Sequence, residues 1–449
     1  VISVGMTHSR GENIILTDYM DLNGDRYPDI VGQSLVQYSN PWGGIGTPVP
    51  MGPMADGITK SETTSGGVNF GGSFQMPTRG SSNNPKGSKI SFDGSGNVGA
   101  DLGGGSDNTV FSWMDVNGDG LPDKVSVDGQ GYAFVSLNTG YGFQPRTLWG
   151  NFPIRDGDSE NASMSFGANF NVGQASIGGG MGVNFSRNHT QKMLMDFNGD
   201  GLPDYVMKGG NGLMVRYNIG GGNWSGWENV NNISNISFGR SYSESINASV
   251  TLGFTFFSIL KVCAGISGSP YSRTFSRDSV QLTDINGDGY VDYVTSDYEN
   301  EMIVRYNKSG KTNLLRKVTN FTGSSFEMDY DMPLSSFDKP QRSWNLAEVR
   351  VSNNDTLCPV GGNRTFTSFE YSEPNYNRVE RMDYGYHTVI TYQYDTENHD
   401  SLYRLTVEEF NNQDFIKRGR KIRDCMYDAE WNPYIEHLYD AIVYDFAGS

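Results

Sequence analysis

Three cysteines in 449 residues, Cys263, Cys358 and Cys425, are too few and too scattered for a disulfide framework or a zinc site, and read as buried or incidental thiols. Histidine is almost as scarce. The five, at 8, 189, 387, 399 and 437, stand alone, with no His-x-x-x-His pairing. A Gly-x-Ser-x-Gly elbow, a Gly-x-x-x-x-Gly-Lys loop and a cysteine with an assignable base are all missing, so catalysis is not expected in this chain. No apolar run reaches the roughly 18–20 residues of a spanning helix, so no membrane span is expected. The nearest stretch, 250–266, is interrupted by Lys261 and alternates as a strand or hairpin does; packing on a neighbouring surface is its default reading and membrane insertion the alternative. Basic residues are outnumbered, 34 against 51, and the net charge of −17 makes nucleic acid and anionic membranes poor partners. Val1 is no initiator methionine and no signal peptide is present, so the chain is expected to be a piece of something longer.

What is abundant is glycine, 57 residues, together with one motif repeated four times. The copies place Asp21, Asn23, Asp25 and Asp29; Asp115, Asn117, Asp119 and Asp123; Asp196, Asn198, Asp200 and Asp204; and Asp284, Asn286, Asp288 and Asp292 at positions 1, 3, 5 and 9, with glycine at position 4. Side-chain oxygens at that spacing suit a hard cation, and the absence of Cys and His from the loops excludes soft metals. Calcium, up to four ions, is the expected cofactor. A backbone carbonyl at position 7, from Tyr27, Leu121, Leu202 or Tyr290, would complete each shell by analogy with helical calcium loops. Position 12 is Gly32, Ser126, Met207 or Thr295, where an EF-hand needs Glu, and apolar β-favouring residues follow each loop. These loops therefore join strands. The principal alternative is a plain polar turn, and if the ion is bound, its expected role is to staple the fold.

After each of the last three loops comes a strand, a Gly/Asn/Asp turn and a second strand ending in Asn138, Asn218 or Asn307. The motifs recur roughly every 80–95 residues, about twice a four-stranded blade, so each repeat carries an insertion. The insertions, Lys89–Leu102, Ala162–Val172 with Ala175–Phe185, and Ile236–Ile246 with Val250–Ile266, alternate small with apolar residues. Each reads as a long hairpin that contacts another domain. Residues 41–86, dense in Gly, Pro, Ser and Thr, read as an irregular loop. The expected fold is all-β: a calcium-loop β-propeller with hairpin insertions over 1–310, complete or lacking blades, followed by a β-rich domain over 311–449, where glycine declines and tyrosine and charge rise.

The loop-plus-hairpin unit, with Leu137-Asn-Thr-Gly-Tyr-Gly-Phe143, resembles the FG-GAP/VCBS repeats of integrin-like propellers. Beyond residue 310, the segments 314–320 and 344–351, Phe369-Glu-Tyr371, the run from Asn375 to Tyr386 with Tyr376, Arg378, Glu380, Arg381 and Gly385, and Phe415–Lys421 resemble the B component of insecticidal toxin complexes and SpvB-like and Rhs/YD-repeat proteins. That resemblance implies a non-catalytic structural and docking segment of a secreted or surface-bound bacterial toxin-delivery protein. Its propeller would dock on a translocation channel or another toxin-complex subunit, and its second domain would begin a shell around toxic cargo. Two other functions compete. One is a calcium-dependent adhesin or carbohydrate-binding propeller with Trp149, Trp224 and Trp227 as aromatic platforms; the other is a calcium propeller polysaccharide lyase, which lacks a visible Lys/Arg cluster. Arg378, Glu380 and Arg381 read as a salt-bridge cluster fixing a strand corner.

Overall fold

The computed structural model describes the chain except residues 26, 41–42, 52–56, 77–91, 141, 173–174, 257–259, 299, 313, 322, 354–363, 397–399, 414–415 and 441–449. Cys358, His399 and Phe415, and parts of 41–86 and 89–102, thus lie outside the described residues. Among the described residues all regular structure is β, in 27 strands, and the chain divides into two units. One comprises Val1–Thr283 with Asp292–Tyr306; the other comprises Asp284–Val291 with Asn307–Ser449.

In the first unit the short strands make blade-sized antiparallel meanders. The first is β2 (Asp18–Met20), β3 (Asp29–Val31), β4 (Leu35–Gln37) and β5 (Val49–Pro50). The second joins the last residues of β7 (Phe92–Met114) to β8 (Asp123–Val127), β9 (Tyr132–Ser136) and β10 (Thr147–Asn151). The third joins the end of β12 (Ala175–Met195) to β13 (Asp204–Lys208), β14 (Gly212–Arg216) and β15 (Glu228–Asn231). The fourth joins the end of β17 (Leu260–Thr283) to β18 (Asp292–Thr295) and β19 (Ile303–Arg305). Each Asp-x-Asn-Gly-Asp loop is the turn between the first two strands of a meander, because its positive-φ glycine reverses the chain where the apolar alternation resumes.

Neighbouring meanders share apolar cores. Leu22, Val31, Val36, Met51 and Ile58 pack with Trp113 and Phe143 of the second. Val116, Val125, Val135, Phe152 and Ile154 pack with Leu194 and Tyr205 of the third. The described strands close no barrel.

The remaining strands, β1 (Ile2–Ile15), β6 (Thr59–Met76), β11 (Arg155–Val172) and β16 (Ser237–Phe256), join the long parts of β7, β12 and β17 in one antiparallel sheet of order β1-β6-β7-β11-β12-β16-β17. Two sequence expectations change here. Residues 59–76, read as irregular, form β6, and 92–102, read as a hairpin, lie in the single strand β7 paired with it. Likewise β16 runs unbroken through 246–250, and Val250 pairs with Ile266. Gly, Ser and Asn look like turn signals in isolation. Paired on both sides, they are small residues that a strand tolerates.

The second unit is an eight-stranded antiparallel meander in sequence order: β20 (Lys317–Thr319), β21 (Ser325–Asp331), β22 (Asn345–Ser352), β23 (Arg364–Asn377), β24 (Met382–Asp395), β25 (Ser401–Asn411), β26 (Arg420–Asp428) and β27 (Pro433–Leu438). Leu405 and Cys425 are buried at its centre. The Arg378/Glu380/Arg381 expectation is corrected. Among the described residues no ion pair joins the three. Arg378 donates to the Phe337 carbonyl (2.8 Å) and lies over its ring, Glu380 accepts from the Tyr384 hydroxyl, and Arg381 takes a positive φ in the β23–β24 turn. Four residues of tight turn aim these side chains apart, so packing and hydrogen bonds fix the corner.

Candidate metal centre

The four loops repeat one hydrogen-bond pattern. The position-1 carboxylate caps the turn: Asp21, Asp115, Asp196 and Asp284 each accept from the N–H of the position-4 glycine at 2.7 Å. In the last three loops its other oxygen accepts from the position-6 glycine, Gly120, Gly201 or Gly289. The position-3 amide lies against position 5: Asn23, Asn117, Asn198 and Asn286 each accept from the N–H of Asp25, Asp119, Asp200 or Asp288 and donate to its carboxylate. The position-5 carboxylate in turn accepts from the N–H of Tyr27, Leu121, Leu202 or Tyr290. The backbone thus gathers the oxygens of positions 1, 3 and 5 in one tight turn, with the position-4 glycines at φ between 72° and 78°.

Position 9 has a second function that the spacing did not reveal. Asp29, Asp123 and Asp204 are fully buried, and each carboxylate bridges two backbone N–H groups. One oxygen accepts from position 2 of its own loop (Leu22, Val116, Phe197; 3.0–3.1 Å). The other accepts from the hairpin end (Ser39, Asn138, Asn218; 2.7–2.9 Å). Asp292 is equally buried. Burial pushes Asp123 up to about 6 and Asp204 up to about 7 despite those N–H bonds, and it raises Asp196 as well.

Consecutive loops are also linked. Asn138 donates from Nδ2 to the Leu22 carbonyl (2.7 Å), and Asn218 does the same to Val116 (3.0 Å), so each hairpin-end asparagine ties its meander to the preceding loop. The Leu121 side chain closes on Gly24, and Leu202 closes on Gly118, where a Cβ would stand 2.9 and 3.1 Å from them. Glycine at position 4 is therefore required by φ, and in loops one and two a Cβ would also displace a leucine methyl.

The fourth loop is the exception. Gly287 and Asn286 belong to the second unit and are held within it, through Arg342 N–H to the Gly287 carbonyl (2.5 Å) and the Ser335 hydroxyl to the Asn286 carbonyl (2.8 Å). The Arg342 guanidinium lies 3.7 Å from Asp288 Oδ2, where both side chains are largely buried. This loop thus carries its own protein cation.

Whether the donors suit calcium has a divided answer. They are all oxygen, and the buried carboxylates of loops two and three are disfavoured in their charged form, which a divalent cation would reverse. Among the described residues, however, no three His, Cys, Asp or Glu side chains are gathered closely enough to form a metal cluster. The carboxylates of Asp123 and Asp204 keep further lone pairs beyond the two that these N–H groups use.

The tryptophans are placed differently from a row of glycan platforms. Trp149 packs on the shared core, Trp224 donates its indole N–H to the Trp149 carbonyl (3.2 Å) and lies 4.7 Å from the Phe152 ring at a tilted angle, and Trp227 lies 5.3 Å from Tyr205.

Fold and loops together define an all-β chain of loop-and-hairpin repeats followed by a long antiparallel meander. Residues 264–414 match the family described as the insecticide toxin TcdB middle/N-terminal region, a span running from β17 through the fourth loop to the end of β25. No curated protein matches the chain. Among solved structures it is similar to the Photorhabdus luminescens Tc holotoxin pore carrying a TccC3 mutation, at 12% identity and TM-score 0.34, covering 94% of this chain and 23% of that one. It is similar to TcdB2-TccC3 without its hypervariable C-terminal region, at 13% identity and TM-score 0.37, covering 92% and 20%. It is also similar to an Agrocybe aegerita lectin recognising non-reducing terminal N-acetylglucosamine, at 16% identity and TM-score 0.27, covering 66% and 63%. The chain spans about a fifth to a quarter of the Tc-toxin chains it matches.

Proposed function

We propose that this chain is a non-catalytic structural segment of a secreted bacterial Tc/Rhs-type toxin complex, in which a calcium-stapled, FG-GAP-like propeller region docks on a partner subunit and the eight-stranded meander begins a cargo shell. The observation that carries this reading is the family match over residues 264–414, which includes the fourth loop and most of the second unit. The loops support the stapling role: they tie one meander to the next through Asn138 and Asn218, so a cation there would hold modules together. Positions 1, 3, 5 and 9 and the position-7 carbonyl would hold it, and it would supply positive charge to carboxylates that burial disfavours. Trp149 and Trp224 are partly buried against the shared core, which favours the structural reading over the carbohydrate-binding alternative.

The test is the size of the native polypeptide. An antibody raised against this chain, used on a denaturing gel of the source with protease inhibitors present, should detect a band several times larger than the 449 residues. A band at their mass would overturn the shell-and-cargo reading.

A further inference from the structure

The long sheet of the first unit has two unlike faces. Because its strands are paired in register, residues on one row share a face across all seven strands. One such row is Met6, Val68, Leu102, Ala162, Phe185 and Tyr242, closed by Phe275. Another carries Val98, Phe166, Met181 and Ile246, and a further one Phe170, Ile177, Val250 and Ile266. The alternate rows, on the opposite face, are small and polar; one reads Asn69, Asp101, Ser163, Asn184, Ser243 and Thr274. The apolar side chains are solvent-exposed, Met6 at 85%, Leu102 at 59% and Phe185 at 52%. Contiguous exposed apolar surface of this extent marks an interaction site.

The border of the face identifies the occupant. The row next to Met6–Phe275 on the same face holds Glu160, Arg187, Arg240 and Arg277, so the apolar region ends at one level across the sheet. From that border outward, 162–172, 175–185 and 242–252 are spans of eleven residues. A strand crosses the hydrocarbon of a bilayer in about 9–11 residues. Phe185, Tyr242 and Phe275 lie at the border level, where transmembrane strands carry aromatic girdles. Glu244 sits one apolar row further in. It accepts hydroxyls from Tyr242 (2.8 Å) and Tyr271 (2.5 Å) and pairs across strands with Arg273. Serine, asparagine and glycine on the other face suit water. Among the described residues no helix is long and apolar enough to cross a membrane, which leaves strands unaddressed.

We propose that this sheet inserts its apolar face into lipid, so that β1, β6, β7, β11, β12, β16 and β17 form part of a transmembrane β-sheet whose open edges, β1 and β17, are closed by further strands. Closure is required because unpaired backbone groups are not tolerated in hydrocarbon. The proposal does not depend on the toxin-complex reading, and the gel that tests that reading leaves this one untouched.

The test uses the full chain with Cys263→Ser, Cys358→Ser and Cys425→Ala. Single cysteines at Met164→Cys and Phe166→Cys, or at Ser163→Cys and Ser165→Cys, carry an environment-sensitive fluorophore, and the vesicles are uncharged phosphatidylcholine so that the acidic chain is not repelled. Labels at 164 and 166 should shift to the blue on vesicle addition and be quenched by nitroxide lipid, while those at 163 and 165 should stay accessible to iodide. A chain that does not float with the vesicles, or labels that respond without alternation, would overturn the proposal. So would protection of 164 and 166 by raised protein concentration alone, which would make the occupant a second copy. Phe166→Asp with Met181→Asp, both on the exposed face, should leave the unfolding temperature near wild type and lower vesicle flotation at least about tenfold; unchanged flotation would count equally against insertion.

Discussion

The aspartate at position 9 illustrates how one residue type serves two physical purposes. In loops one to three its oxygens join two backbone segments about 17–22 residues apart, the role of an internal cap, independently of any ion. Asp204→Ala should therefore destabilise the protein by roughly 1–3 kcal/mol even in chelator, since it leaves the Phe197 and Asn218 N–H groups unsatisfied in the core. Asp284→Ala with Asp288→Ala should instead remove mainly the calcium-induced part of the stability. Denaturant unfolding with and without calcium separates the two, and equal losses in both media for the Asp284/Asp288 variant would remove the metal from the account. At the fourth loop, Arg342 lies where it competes with a cation for Asp288. Arg342→Ala should tighten calcium binding at that loop by about two- to tenfold, measured by titration calorimetry on a variant in which the other three loops carry Asp→Asn at position 1. Weaker binding would show that Arg342 orders the site.

Among the elements, the meanders of the first unit are too small to be stable alone, since three or four short strands of two to five residues bury little. The first three gain stability from each other, through the shared cores and through Asn138 and Asn218, each nearly fully buried. Asn138→Ala or Asn218→Ala leaves the Leu22 or Val116 carbonyl without its donor, at a cost of about 1–3 kcal/mol each. Because both mutations act on the second meander, one from each side, the double variant should depart from additivity by about 0.5 kcal/mol or more in a double-mutant cycle. Strict additivity would mean that the meanders unfold independently. The β-rich character of the second unit was legible from the sequence beyond residue 310, while β25, β26 and β27 were not. In the first, 162–172 with 175–185 was legible as a hairpin, whereas 59–76 read as irregular, because clustered Gly and Ser punctuate an isolated segment and disappear into a paired one.

For the molecule as a whole, the chelation experiment is the broadest test. If the loops bind calcium in the native state only, each site occupied at about a hundredfold over its Kd adds about 2.7 kcal/mol. Unfolding followed by calorimetry in calcium and in chelator should then show a large upward shift of the transition with the ion. An identical thermogram in both would leave the loops as hydrogen-bonded turns, a structure they already form. The family match crosses from one unit into the other, and it is at this scale that the toxin-complex reading rests.

The sequence by itself determined the all-β class, the four loops to the residue and the turn geometry at their glycines, because each follows from interactions within about ten residues of chain. It also showed that small polar and apolar residues alternate in the insertions. Only the tertiary structure decided that 59–76 is a strand, that seven long strands align their apolar residues on one face, that Asn138 and Asn218 reach back to the preceding loop, and that Arg342 sits on Asp288. Alternation fixes which residues share a face of one strand. Which strand lies beside it, and in what register, is settled by contacts between residues tens to more than a hundred positions apart.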